Sequence, residues 1–235
     1  FDKTTKDLLF DINIPVELGA STTTVNGGTV LNKGVEVEIG WKDNIGAFAY
    51  SINGNFATLH NEVLDLAANA ARIVNYDASS TNYKIGTAFE PGYSVWYLLG
   101  FNYLGKDNNG MPIYENISGD KDENGNDIIS TDDMTFIGHT TPTFTYGINI
   151  NLAYKGFDFN VFFQGVAKKD MWAAGNQVLP GFTSGEPYYV GQEDYWTGDN
   201  QDAYYPRPYV YGQSQSGNFS INSRYMLKMG YFRPK

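Results

Sequence analysis

Oxygen-bearing side chains recur at alternate positions between Asp122 and Asp133, the segment whose spacing best suits a metal ion. Asp122, Asn124 and Asn126 fall at positions 1, 3 and 5 of a calcium loop, Ile128 offers a backbone carbonyl at 7, Ser130 stands at 9 and Asp133 at 12. A hard cation taking six or more oxygens needs such convergence, and the ion held here would be a structural Ca2+. Two positions depart from the pattern. Asp127 stands where glycine normally makes the sharp turn, although Asp tolerates the left-handed region better than most residues. Asp133 replaces a bidentate Glu and shortens the reach. The alternative is an acidic turn rich in Asn, Asp and Gly, solvated and needing no ion. No motif requires any other cofactor.

A second cluster is aromatic. Tyr188, Tyr189, Tyr195, Trp196, Tyr204, Tyr205, Tyr209 and Tyr211 crowd one stretch. Flat apolar rings with polar tips suit sugar stacking or packing on a partner, and Tyr195, Trp196, Tyr204, Tyr205 and Tyr209 are the candidate ligand or partner residues. They serve equally well as the loop's own core or as an interfacial girdle. Catalytic patterns are missing. His60 and His139 lie far apart with no neighbouring ligand pattern, Ser184 has no nucleophile-elbow context, and Glu193/Asp194 is indistinguishable from loop charge. No glycine loop could cradle phosphate. The chain reads as a non-enzyme.

The elements that must hold these loops are strands. The chain is rich in aromatic residues (Tyr 18, Phe 15, against Lys+Arg 16) and in Gly, with 42% hydrophobic residues, which suits strands and turns and excludes disorder. A net charge of -10 disfavours nucleic acid and anionic membrane surfaces. With no cysteine there is no disulfide or thiolate chemistry. No apolar run is long enough for a transmembrane helix, which leaves barrel strands open. Phe1 is preceded by no basic and apolar leader, so a precursor cut to this length, or one without a leader, is expected.

From Phe144 to Tyr154 the chain alternates without error: Phe144, Tyr146, Ile148, Ile150, Leu152 and Tyr154 against Thr145, Gly147, Asn149, Asn151 and Ala153. A period of two is strand. Lys155-Gly156 supplies a tight turn, and Phe157, Phe159, Val161 and Phe163 return on one face, with Phe162 the exception. An earlier hairpin sets Val35, Val37, Ile39 and Trp41 before a turn at 43–46, then Phe48, Tyr50, Ile52 and Phe56. Further strands are expected within 93–104, 7–14 and 224–232. Residues 62–74 suit either a short helix or a strand end running into a loop. The strands run to about 11–12 residues, and twelve tilted by ~45° rise ~29 Å, near the hydrocarbon thickness. The connections alternate between tiny (43–46, 155–156) and very long (61–92, 168–218), the habit of outer-membrane barrels. A soluble, secreted β-rich carbohydrate-binding or adhesin module remains the rival; it would seal the rings under a second sheet.

Five stretches, in order, resemble the SusC/RagA group of TonB-dependent transporters: FDKTTKDLLFDINIP, LNKGVEVEIGW, DDMTFIGHTTPTFTYGINI with NLAYKGFDFNVFFQGVAKKDMW, YWTGDNQDAYYPRP, and YMLKMGYFRPK. The resemblance covers nearly the whole chain. It implies an all-β fold, an antiparallel transmembrane β-barrel segment in the outer membrane, with an acidic loop at 118–138 and a long extracellular aromatic loop at 168–218. It also implies import of oligosaccharide or peptide fragments, a SusD-like surface lipoprotein as lid, and energy through TonB, whose contact segment and plug would lie upstream. That group often carries an acidic loop at the place of 122–133. The last matched segment ends at Lys235 with Pro234 in a strand position, so an incomplete arc of about seven or eight strands is expected, unstable alone in water.

Overall fold

The computed structural model describes residues 1–13, 22–66, 71–76, 86–172, 190–207 and 221–235. Tyr188, Tyr189, Tyr209, Tyr211 and Ser184 lie outside the described residues. The described strands are, in order, β1 (Asp2–Thr5), β2 (Leu9–Asn13), β3 (Thr22–Asn26), β4 (Gly28–Lys33), β5 (Glu36–Ile45), β6 (Phe48–Thr58), β7 (His60–Leu66), β8 (Ile73–Tyr76), β9 (Gly86–Phe89), β10 (Tyr97–Phe101), β11 (Tyr103–Lys106), β12 (Pro112–Tyr114), β13 (Met134–Gly138), β14 (Phe144–Tyr154), β15 (Phe157–Ala167), β16 (Asp170–Trp172), β17 (Met226–Lys228) and β18 (Tyr231–Pro234). Among the described residues there is no α-helix.

One sheet forms a wall, ordered β18-β15-β14-β6-β5 and antiparallel throughout. Its two hairpins have two-residue turns whose chemistry is visible in the sequence. Lys155 and Gly156 both take positive φ (48° and 88°), as a type I′ turn demands. In the other, Gly46 alone does so (φ 62°), which places the turn at Gly46-Ala47 rather than 43–46. Asp43, Asn44 and Ile45 therefore join the ladder, opposite Tyr50, Ala49 and Phe48.

Beyond the wall the ribbons continue and part. β5 extends back into β4 and β6 on into β7, in one continuous register through Lys33↔His60. β6 and β14 pair directly along 11 residues, up to Leu59 N donating to Thr143 O at 2.9 Å. Past that point β7 joins β4 and β1, whereas β13 heads a separate sheet ordered β13-β10-β9-β8. The segment between β7 and β13 fills the fork. Two buried clusters sit there, Val30, Val63, Leu66 and Phe89, and Ala88, Tyr97 and Leu99, while a third, Trp172, Ile221 and Tyr225, packs against Ile137 of β13. Each of the larger aliphatic and Phe side chains contributes about 1.5–3 kcal/mol on burial. No residue of β5, β6, β14 or β15 belongs to any of these clusters.

Three expectations are corrected. The helix option at 62–74 gives way to strand in β7 and β8, because Val63 pairs with Val30 and is bonded to Tyr93; residues 67–70 lie outside the described set. The single strand expected within 93–104 is two, β10 and β11, with Trp96 in the left-handed region (φ 51°) before the first. The strand expected over 224–232 begins with a 3-10 turn at Ser223–Tyr225 and divides between β17, on β16, and β18, on β15. Pro234 lies within β18 at the sheet edge, where a missing N–H costs no ladder bond.

Candidate functional site

Register converts the alternation into two continuous faces. Opposite Ile148 stand Gly54 and then Ile39 on one side and Phe163 on the other; opposite Ile150 stand Ile52, Trp41 and Val161. Aromatic rings gather toward both strand ends. At one end Phe56 and Phe144 lie 6.4 Å apart, and Phe232 stacks on Phe163 and Tyr146. At the other Phe48 stacks on Tyr50, whose hydroxyl receives Trp41 Nε1 at 3.4 Å, and Lys155 lies over Tyr154. Aliphatic side chains occupy the middle. This face is bare: Phe157 is 79% exposed, Ile39 64% and Trp41 62%, and no second sheet covers it among the described residues. At about 1.5–3 kcal/mol per uncovered side chain, the set outweighs the ~5–15 kcal/mol net stability of an ordinary domain. In water the face is untenable; against hydrocarbon it costs nothing.

The opposite face is small and amide-rich. Asn160 Nδ2 donates to Asn149 Oδ1 at 2.8 Å and also to Asn151 Oδ1, while Asn151 Nδ2 donates to Ser51 Oγ at 3.0 Å. This uncharged ladder ties β15, β14 and β6 across the sheet. Phe162, the break in the alternation, lies on the amide face beside Gly147, whose missing side chain leaves it room. Eleven residues at ~3.4 Å each and ~45° tilt span about 25 Å, the height of a lipid-facing barrel band.

At the fork, charges are paired: half-buried Arg72 with half-buried Glu90, and buried Asp170 with exposed Lys228. Arg72 Nε donates to Glu90 Oε2 at 2.7 Å, Nη1 donates to Met134 O at 3.2 Å, and the fully buried Tyr97 hydroxyl donates to the same Glu90 oxygen. Burial, then the bond to Glu90, raises the Tyr97 pKa, so the phenol stays a donor. Asp170 takes His139 N at 2.9 Å and Lys228 Nζ at 2.8 Å. His139 sits with its ring edge on Phe136 and is held neutral by burial; His60 lies 2.9 Å from Glu62. Neither histidine is matched with a second ligand or an acid–base partner of catalytic type among these contacts. The sequence reading missed Arg72, Glu90 and Asp170, since their partners come from distant segments.

The acidic loop is closed by its own backbone. Asp122 Oδ1 accepts from Asn124 N and Asn126 N at 2.8 Å, and Oδ2 from Asn126 Nδ2; these bonds, that of the Asn126 side chain foremost, hold its carboxyl below the usual range. Asp133, fully buried, takes Ile117 N and Ser118 N on Oδ1 and Ser130 N on Oδ2, each at 2.8 Å, which likewise depresses its pKa. Asp127 is engaged by Lys121 at 2.6 Å. Asn124, Asn126, Ile128 and Ser130 follow this framework, and among the described residues no three acidic or histidine side chains gather as for a metal. The carboxylates at positions 1 and 12 each accept three N–H donors, which shapes the loop around them.

Of the aromatic candidates, Trp196 packs over Gly110 and under Arg207, and Tyr205 stacks on Tyr225 in a buried cluster. Tyr204 is more open, 4.7 Å from the Arg224 guanidinium, and Tyr195 bridges to Tyr205. Asp194 ties the loop by accepting Tyr204 N at 2.9 Å. These described rings mainly build the loop; Tyr209 lies outside the described residues.

No family model matches the chain. It is 29% identical over 249 residues to TonB-dependent receptor P26 of Formosa agariphila, covering 99% of this chain and 24% of that protein. TonB-dependent receptor P3 of the same organism is 29% identical over 243 residues, 98% of this chain and 23% of its own. The chain thus spans about a quarter of the length of these relatives. Among solved structures, a chain of the RagAB peptide importer in the closed-closed state superposes with TM-score 0.71 at 22% identity, over 100% of this chain and 25% of that one; the open-open state gives 0.72 at 20%, over 100% and 24%. The likeness read from the five sequence stretches holds over the whole chain. The fold is that of about a quarter of the importer chain it superposes on, and the named relatives are TonB-dependent receptors.

Proposed function

We propose that this chain forms part of an outer-membrane importer that takes up oligosaccharide or peptide fragments, driven through TonB and served by a SusD-like surface lipoprotein. One observation carries the reading: a five-stranded antiparallel wall with a bare apolar face on one side and an amide ladder on the other. The bare face meets lipid, the amides line the lumen, and the two-residue turns mark the periplasmic rim. The forked ribbons and the loop carrying Tyr195, Trp196, Tyr204 and Tyr205 then rise on the outer side, where cargo and lid would approach. The similarity to TonB-dependent receptors supports import as the activity. The rival soluble module is disfavoured, because its rings would be covered and these are not.

The test is made on the full-length protein in its own cell. Deleting its gene should abolish uptake of a subset of defined oligopeptides or oligosaccharides supplied as sole nitrogen or carbon source, and loss of TonB should reproduce the defect. Undiminished uptake of the whole panel, with the protein in the soluble fraction, would refute the reading.

A further inference from the structure

We propose that the outward face carries a binding site for one acyl chain of a phosphate-bearing membrane lipid, centred on Gly54, with the headgroup at the level of Lys33 and His60. The inference rests on the lipid-facing reading of the wall. Gly54 stands in the middle of β6 between Ile39 and Ile148, its register partners on either side. The missing side chain opens a groove of about 510 Å³ bounded by Ile39, Phe56, Phe144, Tyr146 and Ile148. A Cβ built on Gly54 would meet nothing nearer than Ile39 O at 4.0 Å, so no protein atom fills the depression. A void beside apolar atoms forfeits their dispersion contacts, and water finds no hydrogen bonds there. The occupant must be apolar, thin and long.

The groove also has a neighbour. Next to Phe144 along the chain, Thr143 and, with it, His60 line a second, separate cavity of about 310 Å³ where the ribbons part. That cavity adds Glu62, Tyr93, Ser94 and His139, a polar and aromatic lining beside an apolar track. His60 lies on the same face as Gly54 and Phe56, since the register runs unbroken to Lys33↔His60. There His60 is bonded to Glu62, and exposed Lys33, cross-strand from Asp2, is among the described residues the cation free to meet a phosphate once His60 and Glu62 satisfy each other. Six residues separate Gly54 from His60, ~20 Å along the strand and ~14 Å in height at ~45° tilt. One leaflet of hydrocarbon is ~15 Å deep, half of the ~30 Å core. A lipid with its phosphate beside Lys33 and His60 would therefore lay its chain end at Gly54. A polar niche set one leaflet's depth from an apolar groove suits an amphiphile.

Native mass spectrometry of the full-length protein, extracted from its own membrane in mild detergent, counts the lipid retained. Wild type should keep one lipid that Gly54→Leu and Gly54→Phe reduce about tenfold or more, as expected when two or more buried methylene contacts are lost. Both variants should keep the heat-modifiable gel mobility of a closed barrel. Equal lipid counts in all three proteins would overturn the site, as would a wild-type dimer that Gly54→Phe dissociates, which would make the groove a contact between copies. A lipid-phase photolabel separates the two levels of inference. If it fails to reach Ile39 and Phe157 in membranes, the wall reading itself fails; if it reaches them while lipid counts stay equal, only the Gly54 site falls.

Discussion

Asp133 carries much of the acidic loop's order, because one buried carboxylate satisfies three backbone donors from two segments. Asp133→Asn turns one acceptor into a donor facing an N–H and should open the loop locally by about 1–3 kcal/mol, read as faster amide exchange at Ile117, Ser118 and Ser130. Unchanged exchange there would contradict the assignment. The pH dependence follows from the depressed pKa of Asp133. Its stabilising share is complete above the unfolded value of about 3.9 and disappears as pH falls through the lower folded value. Exchange corrected for intrinsic rates should therefore stay flat from neutral pH down to about 4 and rise below it. Calcium is a separate matter. With both end carboxylates occupied, adding the ion or a chelator should leave loop exchange unaltered; slowing by calcium would mean that the loop rebuilds around it. Nearby, Gly110 has φ 80° and its Cβ would lie 2.4 Å from the Trp196 ring. Gly110→Ala is strained twice over and should loosen residues 194–207 by about 1–3 kcal/mol, seen as local exchange without loss of the barrel.

For the strands, the decisive quantity is which face a position occupies. Ile52 and Asn53 are neighbours in β6 with opposite outlooks. Ile52→Lys should cost the assembled barrel about 2–4 kcal/mol near mid-depth, whereas Asn53→Lys should cost far less on the lumen side. Urea unfolding of the full-length barrel in detergent micelles measures both, and equal costs would sink the two-face assignment. This much was legible beforehand, because period-two alternation and the turn at Lys155-Gly156 are local properties of the chain. The pairing of β6 with β14 was not: nothing in the residues near Phe56 names Tyr146 as its neighbour across so much intervening chain. Nor was the fork. The same alternation runs through β6 and β7, and only the partner changes at Leu59, a tertiary event. At 122–133 the alternation of oxygens was legible, but not that Asp133 would accept from Ile117 and Ser118, outside that stretch, as well as from Ser130.

At the level of the entire chain, two edges and one bare face decide the behaviour. β5 and β18 end the wall with unpaired backbone on their outer sides among the described residues, and barrel closure is what removes such edges. The buried clusters at the fork could hold the looped part together in water, yet they contain no side chain from β5, β6, β14 or β15, so they do nothing to shield the wall. Among the described residues nothing covers that face or pairs those edges, and on the proposed reading lipid and further barrel strands do so. The excised polypeptide should accordingly form β-rich aggregates on transfer from urea into detergent-free buffer. In micelles it should regain strand signal, while the edges still drive association with concentration. Light scattering and circular dichroism follow the two processes separately. A monodisperse, detergent-free monomer with a single cooperative unfolding transition would show that the rings find cover within the chain itself, and the lipid-facing wall would have to be abandoned.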